Sequence, residues 1–219
     1  MKKPLFYFMT AAITMIFAAC ENVPVSDQSG DDPNNNSTNN KPLVIDASDV
    51  VNSNNDIVAV KVLVKYYDYD TQTHKEYEIA AAEYENNSFK LAIPATVPNK
   101  YLTPVSNADY FPYNLARNKT AKIADVSFYA YNSTGKYIGA FYLLDDSYYL
   151  TNYIRYYSNY IYADRNFTII GNDYDEGIIY NCSFHAGWNC EYRMSEMSYY
   201  EILTEKHPNA NYKWYYKNN

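Results

Sequence analysis

The residues best suited to acid–base or nucleophilic chemistry are few in this chain and are poorly spaced for it. The three histidines, His74, His185 and His207, are far apart in the sequence. None lies in a His-Glu-x-x-His pattern, and none accompanies a Gly-x-Ser-x-Gly serine. Each is expected in a solvent-exposed loop or turn. We therefore predict no catalytic residue and expect a protein that is not an enzyme.

Carboxylates that could hydrolyse a glycosidic bond as a pair occur at two places. Asp145 and Asp146 are adjacent, and Asp173, Asp175 and Glu176 form a second group. Both groups fall in predicted turns, where acidic residues usually mark a solvated loop. The second group also lacks the twelve-residue ligand spacing of a calcium loop. No metal site and no cofactor are predicted, and an envelope hydrolase is kept only as a third hypothesis.

The two cysteines near the C-terminus are positioned for a disulfide if residues 178–194 form a hairpin. Gly187 would occupy the left-handed position of its turn. That register pairs Cys182 with Cys190 on one face, as a disulfide requires. Two buried thiols are one alternative. A metal site that adds His185 is another, although it lacks a fourth ligand.

Tyrosine is the compositional anomaly, with 28 residues against 9 phenylalanines and 2 tryptophans. A tyrosine combines an apolar ring with a polar tip, so it suits both strands and ligand-contacting surfaces. The densest group lies in residues 147–163, whose spacing fits either a strand or a helix. We predict a ligand-binding platform made of Tyr148, Tyr149, Tyr153, Tyr156, Tyr157, Tyr160 and Tyr162. The alternative is that alternate tyrosines line a core with their hydroxyls at its rim.

The first twenty residues have the pattern of an export signal. Lys2 and Lys3 precede an uncharged run at 4–19 that is short for a spanning helix. The sequence FAAC at 17–20 resembles the bacterial lipobox, with phenylalanine in place of the usual leucine. The resemblance implies cleavage before Cys20 and diacylation of its sulfur, so the chain would be held to a membrane by lipid. An ordinary secretory signal and a retained transmembrane helix are the alternatives.

Three segments are expected along the chain: a signal peptide at 1–19, a disordered tether at 20–42 and one domain at 43–219. The tether is rich in Asn, Ser, Thr and Asp and has almost nothing apolar to bury. Acidic residues soon after a lipidated cysteine resemble the surface-export signal of Bacteroidetes lipoproteins. The resemblance implies a location on the outer membrane, facing the cell surface.

Short alternating segments separated by Asn- and Asp-rich turns indicate an all-β domain. Val58, Val60, Val62 and Val64 share one side of a first strand. Residues 122–131 and 136–144 flank an Asn-Ser-Thr-Gly turn and predict a hairpin. We expect an antiparallel two-sheet β-sandwich, similar to immunoglobulin or transthyretin domains. The spacing within 197–206 would also fit one short helix near the C-terminus.

Formal charge excludes one class of partner. The chain carries a net charge of −7 and has no evident Lys/Arg cluster in the sequence, so it has no electrostatic footprint for nucleic acid.

Two phrases, YADRNFTIIG at 162–171 and GWN at 187–189, resemble lipoproteins of Bacteroidales that have no assigned activity. The resemblance implies an envelope lipoprotein with a β-rich domain and supplies no catalytic residues. The first functional hypothesis is capture of a glycan or protein at the cell surface. The second is a structural subunit of a fimbria-like or transport-associated surface assembly, which predicts an exposed sheet edge.

Overall fold

The structure is a computed structural model that describes residues 41–68, 70–107, 112, 114–145, 154–196, 199–208 and 210–218. The predicted signal peptide, Cys20 and most of the predicted tether lie outside these ranges. Within them, no helix has the length and apolar character needed to cross a bilayer.

The described residues are almost entirely strands and turns, so the all-β prediction is confirmed. The strands are β1 (Leu43–Ala47), β2 (Ala59–Asp68), β3 (Thr73–Glu83), β4 (Phe89–Ile93), β5 (Thr103–Pro104), β6 (Ala116–Arg117), β7 (Lys122–Tyr131), β8 (Tyr137–Asp145), β9 (Ile154–Ala163), β10 (Phe167–Asp173), β11 (Ile178–Phe184), β12 (Gly187–Glu196), β13 (Tyr199–Leu203) and β14 (Lys213–Asn218). Two short 3₁₀ turns occupy Asn99–Tyr101 and Val105–Asn107.

The strands form two sheets. β1 and β4 make a two-stranded sheet, and the others make a twelve-stranded sheet. The order in the large sheet is β3-β2-β7-β8-β9-β12-β13-β11-β10-β6, with β14 added to β8 and β5 to β7. Every pair is antiparallel except β11 with β13. The arrangement is compatible with the predicted two-sheet sandwich.

β2 and β3 form one hairpin, and a second hairpin, β7–β8, confirms the prediction made for 122–131 and 136–144. The second turns at Asn132, whose side-chain oxygen accepts hydrogen bonds from the backbone N–H groups of Thr134 and Lys136. Gly135 has a φ of 75° in that turn, a conformation glycine adopts without steric cost. Asx-type hydrogen bonding and a left-handed glycine are local signals, which is why the sequence predicted this turn correctly.

The predicted hairpin at 178–194 is wrong. β11 and β12 do not pair with each other, because β13 returns from later in the chain and lies between them. The pairing of β13 also explains why the predicted short helix near the C-terminus is wrong. Residues 199–203, within the segment whose spacing would also fit a helix, form strand β13 instead, and long-range pairing has overridden the local pattern.

Two hydrophobic clusters lie on opposite faces of the large sheet. The first is the inner core between the sheets, where Phe89 and Leu91 of β4 pack with Phe128, Phe141 and Trp214. The second is centred on Ile123, Ile161 and Ile169, and its members come from β7 and β9 as well as β6, β10 and β11. This cluster contains residues from strands that are distant in the sheet order. This half of the sheet must therefore curve so that those strands come together.

Candidate ligand-binding face

Of the four platform tyrosines that the structure describes, three belong to the core, and for these the predicted binding role is wrong. Residues 154–163 form strand β9, and Tyr156, Tyr160 and Tyr162 are buried. Tyr160 packs edge-on to Phe128, and Tyr162 to Trp188.

Of the remaining platform residues, the structure describes one. Tyr157 is partly buried and lies on the opposite side of β9, where its hydroxyl receives a hydrogen bond from Arg155. Tyr148, Tyr149 and Tyr153 lie outside the described residues.

A different set of tyrosines lines an open surface. On β7, β8 and β14 the rings that point away from the inner core are Tyr129, Tyr131, Tyr137, Tyr142 and Tyr215, which we name the tyrosine face. Tyr137 is 36% and Tyr142 45% exposed. The ring of Tyr137 packs edge-on to those of Tyr129 (5.3 Å between centroids) and Tyr131 (6.2 Å). The strands therefore present a fixed, solvent-facing group of rings.

Lysines from the neighbouring strands lie against these rings. Their Nζ atoms stand 5.0–5.6 Å from ring centroids in three pairs: Lys61 with Tyr131, Lys65 with Tyr129 and Lys217 with Tyr142. Such cation–π contacts hold long side chains over the sheet. A hydrogen bond with Tyr129 raises the pKa of Lys65, so this ammonium stays charged at neutral pH.

Beside the tyrosine face, three strands meet at one point. β7 pairs with β8 from Phe128 onward and with β9 only up to Asp125. β8 pairs with β9 from Leu143, opposite Ser158. Three strands cannot all be antiparallel to one another within one flat sheet. The strands β7, β8 and β9 therefore separate between their paired segments.

The separation of the strands leaves a junction cavity of about 170 Å³. Its wall on the open side includes Lys65, Tyr129, Tyr142 and Asn159, and its inner wall includes Trp214. Pockets for drug-sized ligands run to about 300–1,000 Å³, so this cavity suits one ring or side group of a larger ligand. It combines aromatic walls with an ammonium and an amide.

One buried polar group lines the junction cavity. Ser158 is only 5% exposed, and its Oγ forms no hydrogen bond within the described part of the chain. Buried hydroxyls nearly always have a partner, because an unsatisfied one costs about 1–3 kcal/mol. A hydroxyl that lines a cavity is therefore well placed to bond a ligand.

A group of charged residues borders the site, on the same side of the sheet as the tyrosine face. Glu191 is fully buried, and its Oε1 accepts a hydrogen bond from Arg193 Nε, while its Oε2 has no partner among the described residues. Burial, and secondarily the charge of Glu191, raises the pKa of Asp125 to about 6. Lys65 lies within electrostatic range of Asp125.

The cysteines are not bonded to each other. Cys182 belongs to the second cluster and donates its thiol hydrogen to the Ile202 carbonyl, whereas Cys190 packs against the inner core on the other face. The predicted disulfide is therefore wrong in this structure, because the hairpin that would oppose the two residues does not form. Among the described residues no group of His, Cys, Asp or Glu side chains is arranged to hold a metal ion, which also removes the alternative with His185.

The described members of the two candidate acidic groups have other roles in the structure. Asp145 is buried and accepts a hydrogen bond from the Asn211 backbone, while Asp146 lies outside the described residues. Asp173 caps its own turn by accepting from the N–H groups of Asp175 and Glu176. Asp145, Asp173, Asp175 and Glu176, the described members of these groups, do not line the junction cavity.

The tyrosine face had a signal in the sequence. In the correctly predicted β7–β8 hairpin, Phe128 alternates with Tyr129, and Phe141 with Tyr142. Applying the hairpin register to both strands would have grouped the exposed tyrosines. The cavity had no such signal, because it depends on where β9 and β14 join β8.

Comparison with protein-family models, curated proteins and solved structures finds no match to this chain. The finer expectations of an immunoglobulin- or transthyretin-like topology and of kinship with Bacteroidales lipoproteins stay predictions.

Proposed function

We propose that this protein is an exported, lipid-anchored binding protein that captures a glycan at the cell surface through the tyrosine face. The observation that carries the proposal is an open group of fixed tyrosine rings beside a small cavity that combines aromatic walls with polar groups. Sugar rings present apolar C–H faces between hydroxyls, so they suit surfaces where aromatic rings adjoin hydrogen-bonding groups.

The rest of the proposal comes from the sequence. Cys20 would carry the lipid, and the Asn- and Asp-rich residues after it would hold the domain clear of the bilayer. Metabolic labelling with a clickable palmitate tests the anchor. Labelled protein is expected from the native chain and unlabelled protein from Cys20→Ser, and an unlabelled native chain would refute this part.

Glycan binding is tested with two variants and one matched control. Tyr129→Ala and Tyr142→Ala remove rings that line the cavity, whereas Tyr174→Ala removes an 87% exposed ring from the distant β10–β11 turn. On a glycan array, native protein and Tyr174→Ala should bind the same glycans. The other two variants should lose at least tenfold in affinity, while their thermal midpoints fall by no more than about 4 °C. Equal binding by all four proteins would contradict the proposed site.

A second candidate function, a structural subunit of a surface assembly, has one observation in its favour. β3 is an 11-residue strand that, in the described part of the large sheet, pairs only with β2. An open edge can accept a strand from another chain, but β3 carries Lys75, Glu76 and Glu78, and charged edges oppose such pairing. Concentration-dependent oligomers in sedimentation velocity would favour this candidate, and a monomer at all concentrations would oppose it.

A further inference from the structure

The exposed lysines around the tyrosine face contrast with the net negative charge of the protein. The whole chain has 25 acidic and 18 basic residues. Yet the outward positions of β14 are Lys213, Tyr215 and Lys217, and both lysines are exposed. The outward residues of β8 opposite them and of β7 between Ser127 and Tyr131 include no carboxylate.

Acidic residues border the tyrosine face on two sides, with Glu76 and Glu78 on β3 and Asp125 and Glu191 beside the junction cavity. Glu78 lies on β3 and forms a 2.7 Å ion pair with Lys61, so the charge of that lysine is balanced. Glu76 and Asp125 are within electrostatic range of Lys65, but no carboxylate of the described residues comes within ion-pairing distance of its ammonium. Lys65, Lys213 and Lys217 are therefore cations without an ion-pair partner in the described chain.

Two of these cations are held in place by the rings. Lys65 lies over Tyr129 and Lys217 over Tyr142, so their positions are partly fixed before any ligand arrives. Preorganisation lowers the entropy lost on binding, which makes each charge more effective than a freely moving surface lysine. Both tyrosines also line the junction cavity, with Lys65 at its wall.

From this arrangement we propose that the glycan bound by the tyrosine face is anionic, a polysaccharide bearing carboxylate or sulfate groups. Its sugar rings lie on Tyr129 and Tyr142, its anionic groups meet Lys65, Lys213 and Lys217, and one ring or substituent enters the junction cavity near Ser158. The inference rests on the proposed glycan-binding function and specifies its ligand class. Ammonium ions held against the tyrosine rings select negative substituents, whereas tyrosine rings alone would accept neutral sugars equally well.

The test uses matched pairs of polysaccharides that differ in charge. Polygalacturonate is compared with its fully methyl-esterified form, and dextran sulfate with dextran, by calorimetric titration of the full chain at low and physiological salt. The charged member of at least one pair should bind at least tenfold more tightly than its neutral partner. Its affinity should fall as salt rises, because exposed charges are screened.

Two lysine variants and a control locate the charges. Lys65→Met and Lys217→Met should each weaken binding of the charged polysaccharide about three- to tenfold, in line with the loss of one charge-assisted contact. Lys90→Met removes an exposed lysine of the small sheet, paired with Asp46 at 3.0 Å, and should leave affinity unchanged. An equal effect of all three variants would show only general electrostatic attraction and would overturn the inference.

The remaining outcomes separate the inference from the proposed function. Equal binding of charged and neutral partners, abolished by Tyr142→Ala, would overturn the anionic ligand while supporting glycan capture. Binding of poly-glutamate as tight as that of polygalacturonate would show that the anion is recognised without a sugar ring, and it would overturn both. Failure of the whole glycan array together with both pairs would also refute both.

Discussion

The two faces of strands β7, β8 and β14 use aromatic residues in opposite ways. At adjacent positions Phe128, Phe141 and Trp214 point inward, while the tyrosine that follows each of them points outward. The inward rings form an edge-packed cluster, with Phe128 and Trp214 centroids 4.9 Å apart. The outward rings contact one another and lysines.

The difference follows from one hydroxyl group. A phenylalanine has no polar atom to satisfy, so it can be enclosed on all sides, whereas a tyrosine buried without a partner loses its hydrogen bonds to water. Tyr216 shows the exception. It is buried on the inner face, and its hydroxyl donates to the Ile138 carbonyl at 2.8 Å. The inner face therefore supports stability, and the outer tyrosines are the ones that we propose contact the glycan.

The largest expected effect separates the two faces by stability. Phe128→Ala should destabilise the fold by about 3–5 kcal/mol, because it opens a cavity beside Trp214 and Tyr160. Its outward neighbour, Tyr129→Ala, should cost only about 1 kcal/mol or less. Urea unfolding followed by circular dichroism measures both. Similar losses for the two variants would show that the outer face is also structural.

A pH-dependent effect is expected at the border of the outer face. The pKa of Asp125 is raised to about 6, so its charged form is less favourable in the folded chain than in the unfolded one. This penalty is present above pH 6 and is relieved as the pH falls from about 6 toward the unfolded value near 4. Asp125→Asn should therefore stabilise the protein at pH 8, on the order of 1–3 kcal/mol, and have little effect at pH 4.

The control for this prediction is Asp46→Asn, which changes an exposed carboxylate paired with Lys90. It should alter stability by less than about 1 kcal/mol. The midpoints of urea unfolding at pH 4 and pH 8 are compared for the native protein and both variants. A loss of stability in Asp125→Asn at pH 8 would mean that the charged carboxylate supports the fold through Lys65 or Arg193.

A smaller effect of unusual sign is expected at the junction cavity. Ser158→Ala removes a buried hydroxyl that has no partner in the described chain, so stability should stay level or rise by up to about 1 kcal/mol. Affinity for the captured glycan should fall in the same variant. A clear loss of stability would instead assign the hydroxyl a structural hydrogen bond.

The smallest effect is expected at the exposed pair on the far side of the tyrosine face. Lys61→Met breaks the ion pair with Glu78, which is partly solvated, and should cost about 0–1 kcal/mol. Because Glu78 already balances the charge of Lys61, the Lys61→Met variant should change glycan affinity less than Lys65→Met does. The reverse order in calorimetric titrations would move the charged part of the site toward β3.

How far the sequence could predict this molecule depended on the distance between interacting residues. The β7–β8 hairpin is encoded within a few residues of Asn132 and Gly135, so it was predictable. β13 lies between β11 and β12 through pairings that no local pattern carries, so the hairpin and disulfide predictions failed together. For the candidate site, tyrosine was the right residue type. Yet Tyr156, Tyr160 and Tyr162 are buried because β9 is central in the sheet, which its own residues do not reveal.

The most direct test of the central claim is to observe the tyrosine rings while a glycan binds. Aromatic carbon–proton NMR spectra, assigned by Tyr→Phe substitutions, would be recorded during titration with the tightest ligand from the array. The account predicts that signals of Tyr129 and Tyr142 shift in proportion to saturation, while Tyr174, exposed on the distant turn, stays unchanged. Saturable binding that leaves Tyr129 and Tyr142 unperturbed would contradict the account.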